Sequence, residues 1–331
     1  MQDELSQSVL DEIRRAAFEL RQSDPQDAVR VLRTAAAHGG SAEVLARGAL
    51  GEIYLEEFGD LDGAETEFRK VLAAAPGLPA AELGLARVFR ESGRKQQADA
   101  GFVRALQGLA HDVTTFRESS PPPGAEEVVL TLLEVSVELA ELRGAGATVP
   151  LDEELLAWAA GARIFDGDAD GDTGGRGDAE GGADAEGGAQ ADQEDWVRFH
   201  ALWSELRIRT GRAGEAALAL AATEANEQLS PRDCARLRSH ALEEAGDNKG
   251  AGAEAARALE LDRAAGAAPS AEEAIRAAHL LGDDAPLRQA LAALEALLPS
   301  HPELEEDARA LRSELGPALV QLGTGKGQGP A

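Results

Sequence analysis

A spacing of 34 residues constrains this chain more than any other feature. Gly59 and Gly93, Ala64 and Ala98, and Phe68 and Phe102 are each separated by that interval. Two consecutive units share one order of residues. The first reads Leu50-Gly51, Tyr54, Gly59, Ala64, Phe68, Val71-Leu72 and Pro76, and the second Leu85-Ala86, Phe89, Gly93, Ala98, Phe102 and Ala105-Leu106. A fixed period of this length marks a supersecondary unit that buries its apolar face only by stacking on copies of itself.

The residue types suit a pair of antiparallel helices. Ala86 and Ala98 are small where two helix axes must approach to about 8–10 Å. Phe89 and Phe102 fill the wedge on either side. Gly93 supplies the left-handed backbone that ends the first helix, and Pro76 stops the second. The order and the period together resemble the tetratricopeptide repeat, over residues 41–110 above all. One departure is an extra residue between Tyr54 and Gly59, which lengthens a turn. The resemblance implies an all-α, helical-hairpin solenoid that winds as a superhelix and binds a protein partner.

Weaker copies flank these units. Upstream, Ala28, Leu32 and Ala35 have second-helix spacing, with Asp24-Pro25 as an N-cap and first-turn proline. Downstream, Gly211, Gly246 and Gly282 recur at intervals of 35 and 36 and head three further units. Two amphipathic helices are expected over Glu126–Leu142 and Leu151–Phe165, after the loop Ser119–Gly124. The expected organisation is therefore six to seven hairpins. One helical array covers 1–165, a disordered acidic Gly/Ala/Asp linker covers 166–193, a second array with a capping helix covers 194–322, and a flexible tail covers 323–331.

Composition agrees and excludes several functions. The apolar share of 44% is mostly Ala and Leu, aromatics are 4%, and Glu and Arg are abundant, which favours helix over strand. With 60 Asp and Glu against 32 Lys and Arg, the formal net charge is −28, which repels nucleic-acid phosphates and anionic membrane surfaces. No run of apolar residues is long enough to span a bilayer, and Met1–Leu20 carries Asp3, Glu4, Asp11 and Glu12 where a secretion signal would be apolar. With Cys234 as the sole cysteine, no internal disulfide is possible, and a cytoplasmic protein is expected.

No constellation carries catalysis. Asp166, Asp168, Asp170 and Asp172 begin like a calcium loop, but Gly177 stands where a bidentate glutamate should be. Arg176-Gly177-Asp178 is read as a chance tripeptide in the acidic linker. The six histidines show no metal-ligand pairing, and no nucleophile or phosphate-loop motif occurs. No enzyme activity, cofactor or metal is expected. Trp158, Trp196 and Trp203 flank the linker and are read as core packing at the edges of the arrays.

In repeats of the resembled class, first helices line an inner groove. By that resemblance Glu52, Leu55, Arg87, Arg90, Arg198, Arg209, Arg236, His240 and Arg276 would line it. Arginine forks suit carboxylates on a peptide. The lysines and asparagines with which related repeats hold chaperone C-terminal tails are absent there. The sequence thus points to a non-enzymatic adaptor for a protein or peptide partner. The alternatives are a self-associating assembly protein and a helical regulatory subunit of an enzyme encoded elsewhere.

Overall fold

The computed structural model describes residues 2–119, 121–122, 124–161, 185–226 and 229–316, and every regular element among them is helical. The chain divides into two compact units, Met1–Gly175 and Arg176–Ala331.

The first unit opens with α1 (Gln2–Arg15), which runs on through a π-helical segment, Ala16–Leu20, into the short α2 (Arg21–Ser23). Then come α3 (Pro25–Ala36), α4 (Gly40–Glu56), α5 (Leu61–Ala74), α6 (Pro79–Glu91), α7 (Lys95–Glu118), α8 (Ala125–Arg143) and α9 (Glu153–Gly161). The second unit holds α10 (Ala185–Arg209), α11 (Ala213–Ala225), α12 (Pro231–Glu244), α13 (Asn248–Ala264), α14 (Ala271–Leu281), α15 (Ala285–Leu297) and α16 (Glu305–Leu315). From α3 to α8 and from α10 to α16 each helix packs on the next in sequence, α9 packs on α7, and α4 also meets α6, α10 meets α12, and α14 meets α16. Each unit is a stack of hairpins, with α4, α6 and α8 as first helices in the first unit, α10, α12 and α14 in the second, and α16 closing the second.

Local chemistry sets the boundaries. Gly59, Gly93, Gly211, Gly246 and Gly282 all have φ between 60° and 83°, so the periodic glycines make the turns between the helices of a pair. Asp24, Asp60 and Asp247 cap second helices by accepting from the backbone N–H three residues on. Ser230 and Ser270 do the same for first helices.

Packing across neighbouring hairpins rests on glycine. The Phe68 ring, 2% exposed, is sandwiched between Gly51 of α4 and Gly84 of α6, and a Cβ on either glycine would fall less than 3.0 Å from it. Within the α6–α7 pair two glycines allow close approach: a Cβ on Gly108 would meet the Pro79 ring at 2.6 Å, and one on Gly101 would meet the Cβ of Ala86 at 2.8 Å. Ala98, which the repeat pattern nominated, is fully buried beside it.

Three boundaries differ from the sequence reading. Helix α7 extends to Glu118 because Leu109 and Val113 continue its buried stripe. Helix α10 begins at Ala185, taking in residues 185–193 of the stretch read as linker. Ala, Glu and Gln there have good helix propensity and extend a helix anchored by Phe199. The closing helix begins after a 3₁₀ turn, Pro302–Leu304, and ends at Leu315 before Gly316. The calcium-like run from Asp166, Arg176–Asp178 and the tail 323–331 lie outside the described residues.

The glycine wedge makes opposite forecasts for two helical glycines. Gly48, on α4, has open space where a Cβ would go. Gly48→Ala should therefore stabilise by about 0.5–1 kcal/mol through helix propensity alone. Gly84→Ala should destabilise by about 1–3 kcal/mol, because the ring is held on its other face by Gly51 and cannot retreat. Urea denaturation midpoints of the two variants decide this, and a shift of the same sign in both would remove the wedge.

Candidate functional site

The nine residues nominated from the sequence all lie on first helices. Glu52 and Leu55 are on α4, Arg87 and Arg90 on α6, Arg198 and Arg209 on α10, Arg236 and His240 on α12, and Arg276 on α14. In the first unit Arg87 and Arg90 converge on one carboxylate of α8. Arg87 Nε donates to Glu138 Oε1 at 3.0 Å, and Arg90 Nη1 donates to Glu138 Oε2 at 2.6 Å. The Arg90 guanidinium also lies 5.9 Å from the Phe102 ring centre. At the preceding hairpin Arg21 of α2 acts in the same way, binding Glu56 and Glu57 and lying 3.7 Å from Glu52.

The second unit repeats the device. Glu205 of α10 accepts from Arg209 at 2.6 Å and faces His240 Nε2 of α12 at 3.3 Å. Arg236 of α12 reaches Glu273 of α14 at 2.6 Å and the buried carboxylate of Asp262, on α13, at 2.8 Å. Arg276 of α14 reaches back to Glu243 of α12 at 2.8 Å. His279 of α14 meets Glu314 of α16 at 2.7 Å. Arg198 is half-buried on α10. Successive first helices are thus tied by ion pairs across the face that the sequence nominated, and the arginine forks of Arg87, Arg90, Arg209, Arg236 and Arg276 hold carboxylates of the chain itself.

The wall remains open to solvent. Glu52 keeps 56% of its side-chain surface exposed, yet its carboxyl pKa is raised, chiefly by desolvation, with nearby Glu56 adding and Arg21 and Arg87 opposing. A side chain that is accessible and still crowded by protein is what a concave wall produces. In the second unit α12, α14 and α16 border a cleft of about 590 Å³. Ala271, Ile275, Leu280 and Ala310 supply its apolar lining, and Glu272, Glu306 and Asp307 its rim.

Neither a family model nor a curated protein matches this sequence. Among solved structures, a tetratricopeptide repeat protein from Parabacteroides merdae aligns over 92% of this chain and 99% of its own, with 14% identity and a TM-score of 0.41. An assembly chaperone of RpL4 (Acl4, residues 1–338) aligns over 96% and 99%, with 18% identity and a TM-score of 0.40. Each unit of this chain is a stack of helical hairpins.

Sequence reasoning missed Glu138, Glu243, Glu273 and the carboxylate rim. A signal for several of them was present: Arg276–Glu243, His240–Glu205 and Arg236–Glu273 are separated by 33, 35 and 37 residues, about one repeat. In the aromatic run of α10, whose Trp196 and Trp203 are read from the sequence as core packing, His200 stacks on Trp196 at 5.4 Å and Phe199 is fully buried. Burial pushes the His200 pKa down to about 4, with Arg207 contributing, so His200 is a neutral packing residue. Cys234 is likewise buried, its thiol pKa pushed up to about 11, chiefly by desolvation. Among the described residues no helix is long and apolar enough to cross a membrane.

Two carboxylates of one wall should respond oppositely to neutralisation. Glu138→Gln leaves two half-buried guanidinium groups without their shared counter-charge and should cost about 1–2 kcal/mol at pH 7, discounted for their partial exposure. For Glu52 the folded-state pKa is raised, so its ionisation weakens the fold as pH rises through that value, and the penalty is absent below the unfolded value of about 4.3. Glu52→Gln should raise Tm slightly at pH 7, within about half a kcal/mol, and leave it unchanged near pH 4. Melting curves at the two pH values test both signs, and a loss of stability in Glu52→Gln at pH 7 would contradict the crowded-wall reading.

Proposed function

We propose that the chain is a non-enzymatic interaction protein that holds a segment of another polypeptide against the first-helix wall of its hairpin stack. The observation that carries this reading is the wall itself. Its charged side chains sit in ion pairs with neighbouring helices while remaining partly accessible, as Glu52, Arg87 and Arg276 do. Side chains already held in place lose little freedom when a ligand arrives, which lowers the ordering cost of association. An extended segment lying across successive first helices would meet a regular series of charged and aliphatic groups. The residues proposed to face such a segment are, in the first unit, Glu52, Leu55, Arg87 and Arg90 and, in the second unit taken by itself, Arg198, Arg209, Arg236, His240 and Arg276.

The test is position-resolved crosslinking in the native cell. A photo-crosslinking residue placed at Leu55 or His279 should yield discrete protein adducts. The same residue at Leu218, 74% exposed on second helix α11, should yield none above background. Adducts from Leu218 alone would move the interaction surface to the second helices. Adducts consisting only of a second copy of the chain would make it a self-associating protein instead.

A further inference from the structure

We infer that the cleft bordered by α12, α14 and α16 receives a basic, aliphatic segment of another protein. This rests on the reading of the first-helix wall as a protein-binding surface and adds the chemistry of the occupant. The cleft has an apolar lining with Ile275 and Leu280 half-buried in it, enough to seat an aliphatic side chain. Its charge is one-sided. Four lining carboxylates, Glu243, Glu272, Glu306 and Asp307, face a single guanidinium, that of Arg276, and Glu243 already accepts from it at 2.8 Å. His279 is turned to Glu314. Glu272, Glu306 and Asp307 are exposed on the first turns of α14 and α16, and among the described residues they meet no cation.

The first-turn position explains why the fold tolerates these charges together. The positive ends of the two helix dipoles offset part of their repulsion. That offset is partial, so the rim retains a field that an arginine or lysine would satisfy with charge-assisted hydrogen bonds. An acidic segment would find no free fork here, because the one arginine in the cleft is bound. The net charge of −28 adds long-range attraction for a cation, so association should be fast at low ionic strength and slow with added salt.

The probe is a fluorescent hexapeptide of alternating arginine and leucine, with its glutamate–leucine counterpart as comparison, titrated with the full chain by anisotropy at about 0.15 M salt. The arginine peptide should bind and the glutamate peptide should not. Glu306→Gln with Asp307→Asn should weaken binding at least about tenfold. Glu118→Gln with Glu244→Gln removes the same charge from exposed positions outside the cleft and should change it by less than about twofold. Circular dichroism confirms that both double variants are folded. Equal weakening by the two pairs would show attraction by the diffuse field alone and overturn the site, as would binding of the glutamate peptide. Failure of the arginine peptide to bind, with adducts still formed from position 279, would overturn this occupant and leave the interaction reading standing.

Discussion

The close approach of neighbouring hairpins around Phe68 is the constraint from which the rest of the first unit follows. A buried aromatic ring can lie between two helices only if both present hydrogen where a side chain would otherwise be, and Gly51 and Gly84 do so. That contact sets the distance between α4 and α6, and with it the reach of every side chain across the wall they share. Gly101 against Ala86 does the same inside the next pair. Glycine in a helix interior costs about 1 kcal/mol in propensity, so these positions are retained by packing that outweighs it.

With helix spacing fixed, the electrostatics become geometric. Parallel first helices one repeat apart place residues about 34 positions apart in sequence side by side. Arg276–Glu243, His240–Glu205 and His279–Glu314 obey that arithmetic, at 33, 35 and 35 residues. Arg87–Glu138 breaks it, at 51, because the long α7 and the segment after it separate α6 from α8. Individual pairs of this kind are partly exposed and each contributes little. Their effect is to fix orientation, so that the wall is ordered before any ligand meets it.

This explains what the sequence could and could not reveal. Turn glycines, small–large pairs and caps are local or strictly periodic, so Gly59, Gly93, Gly211, Gly246, Gly282 and Asp24 could be placed from spacing alone. The helices carrying the nominated residues were legible for the same reason. The state of those residues was not, since whether Arg87 is a free fork or a bound one depends on Glu138, which the period does not connect to it. The start of α10 was hidden by composition: Ala, Gly, Glu and Asp read as linker until one sees that the run continues into a helix pinned by Phe199.

The pairing arithmetic also accounts for where unpaired charge accumulates. A carboxylate on a first helix is neutralised when the neighbouring first helix offers a guanidinium at the matching register. Helix α12 receives Arg276 from α14, and α14 receives Arg236 from α12. Glu306 and Asp307 sit on α16, and no later helix among the described residues stands beside them to supply the next arginine. Across the cleft from them α14 offers Glu272, while its own arginine is turned toward α12. A cross-linked ladder with more carboxylates than guanidinium groups must leave negative charge where its pairing stops. In this protein that place coincides with an apolar recess, so surplus charge and a seat for an aliphatic side chain meet at one end of the second unit's wall.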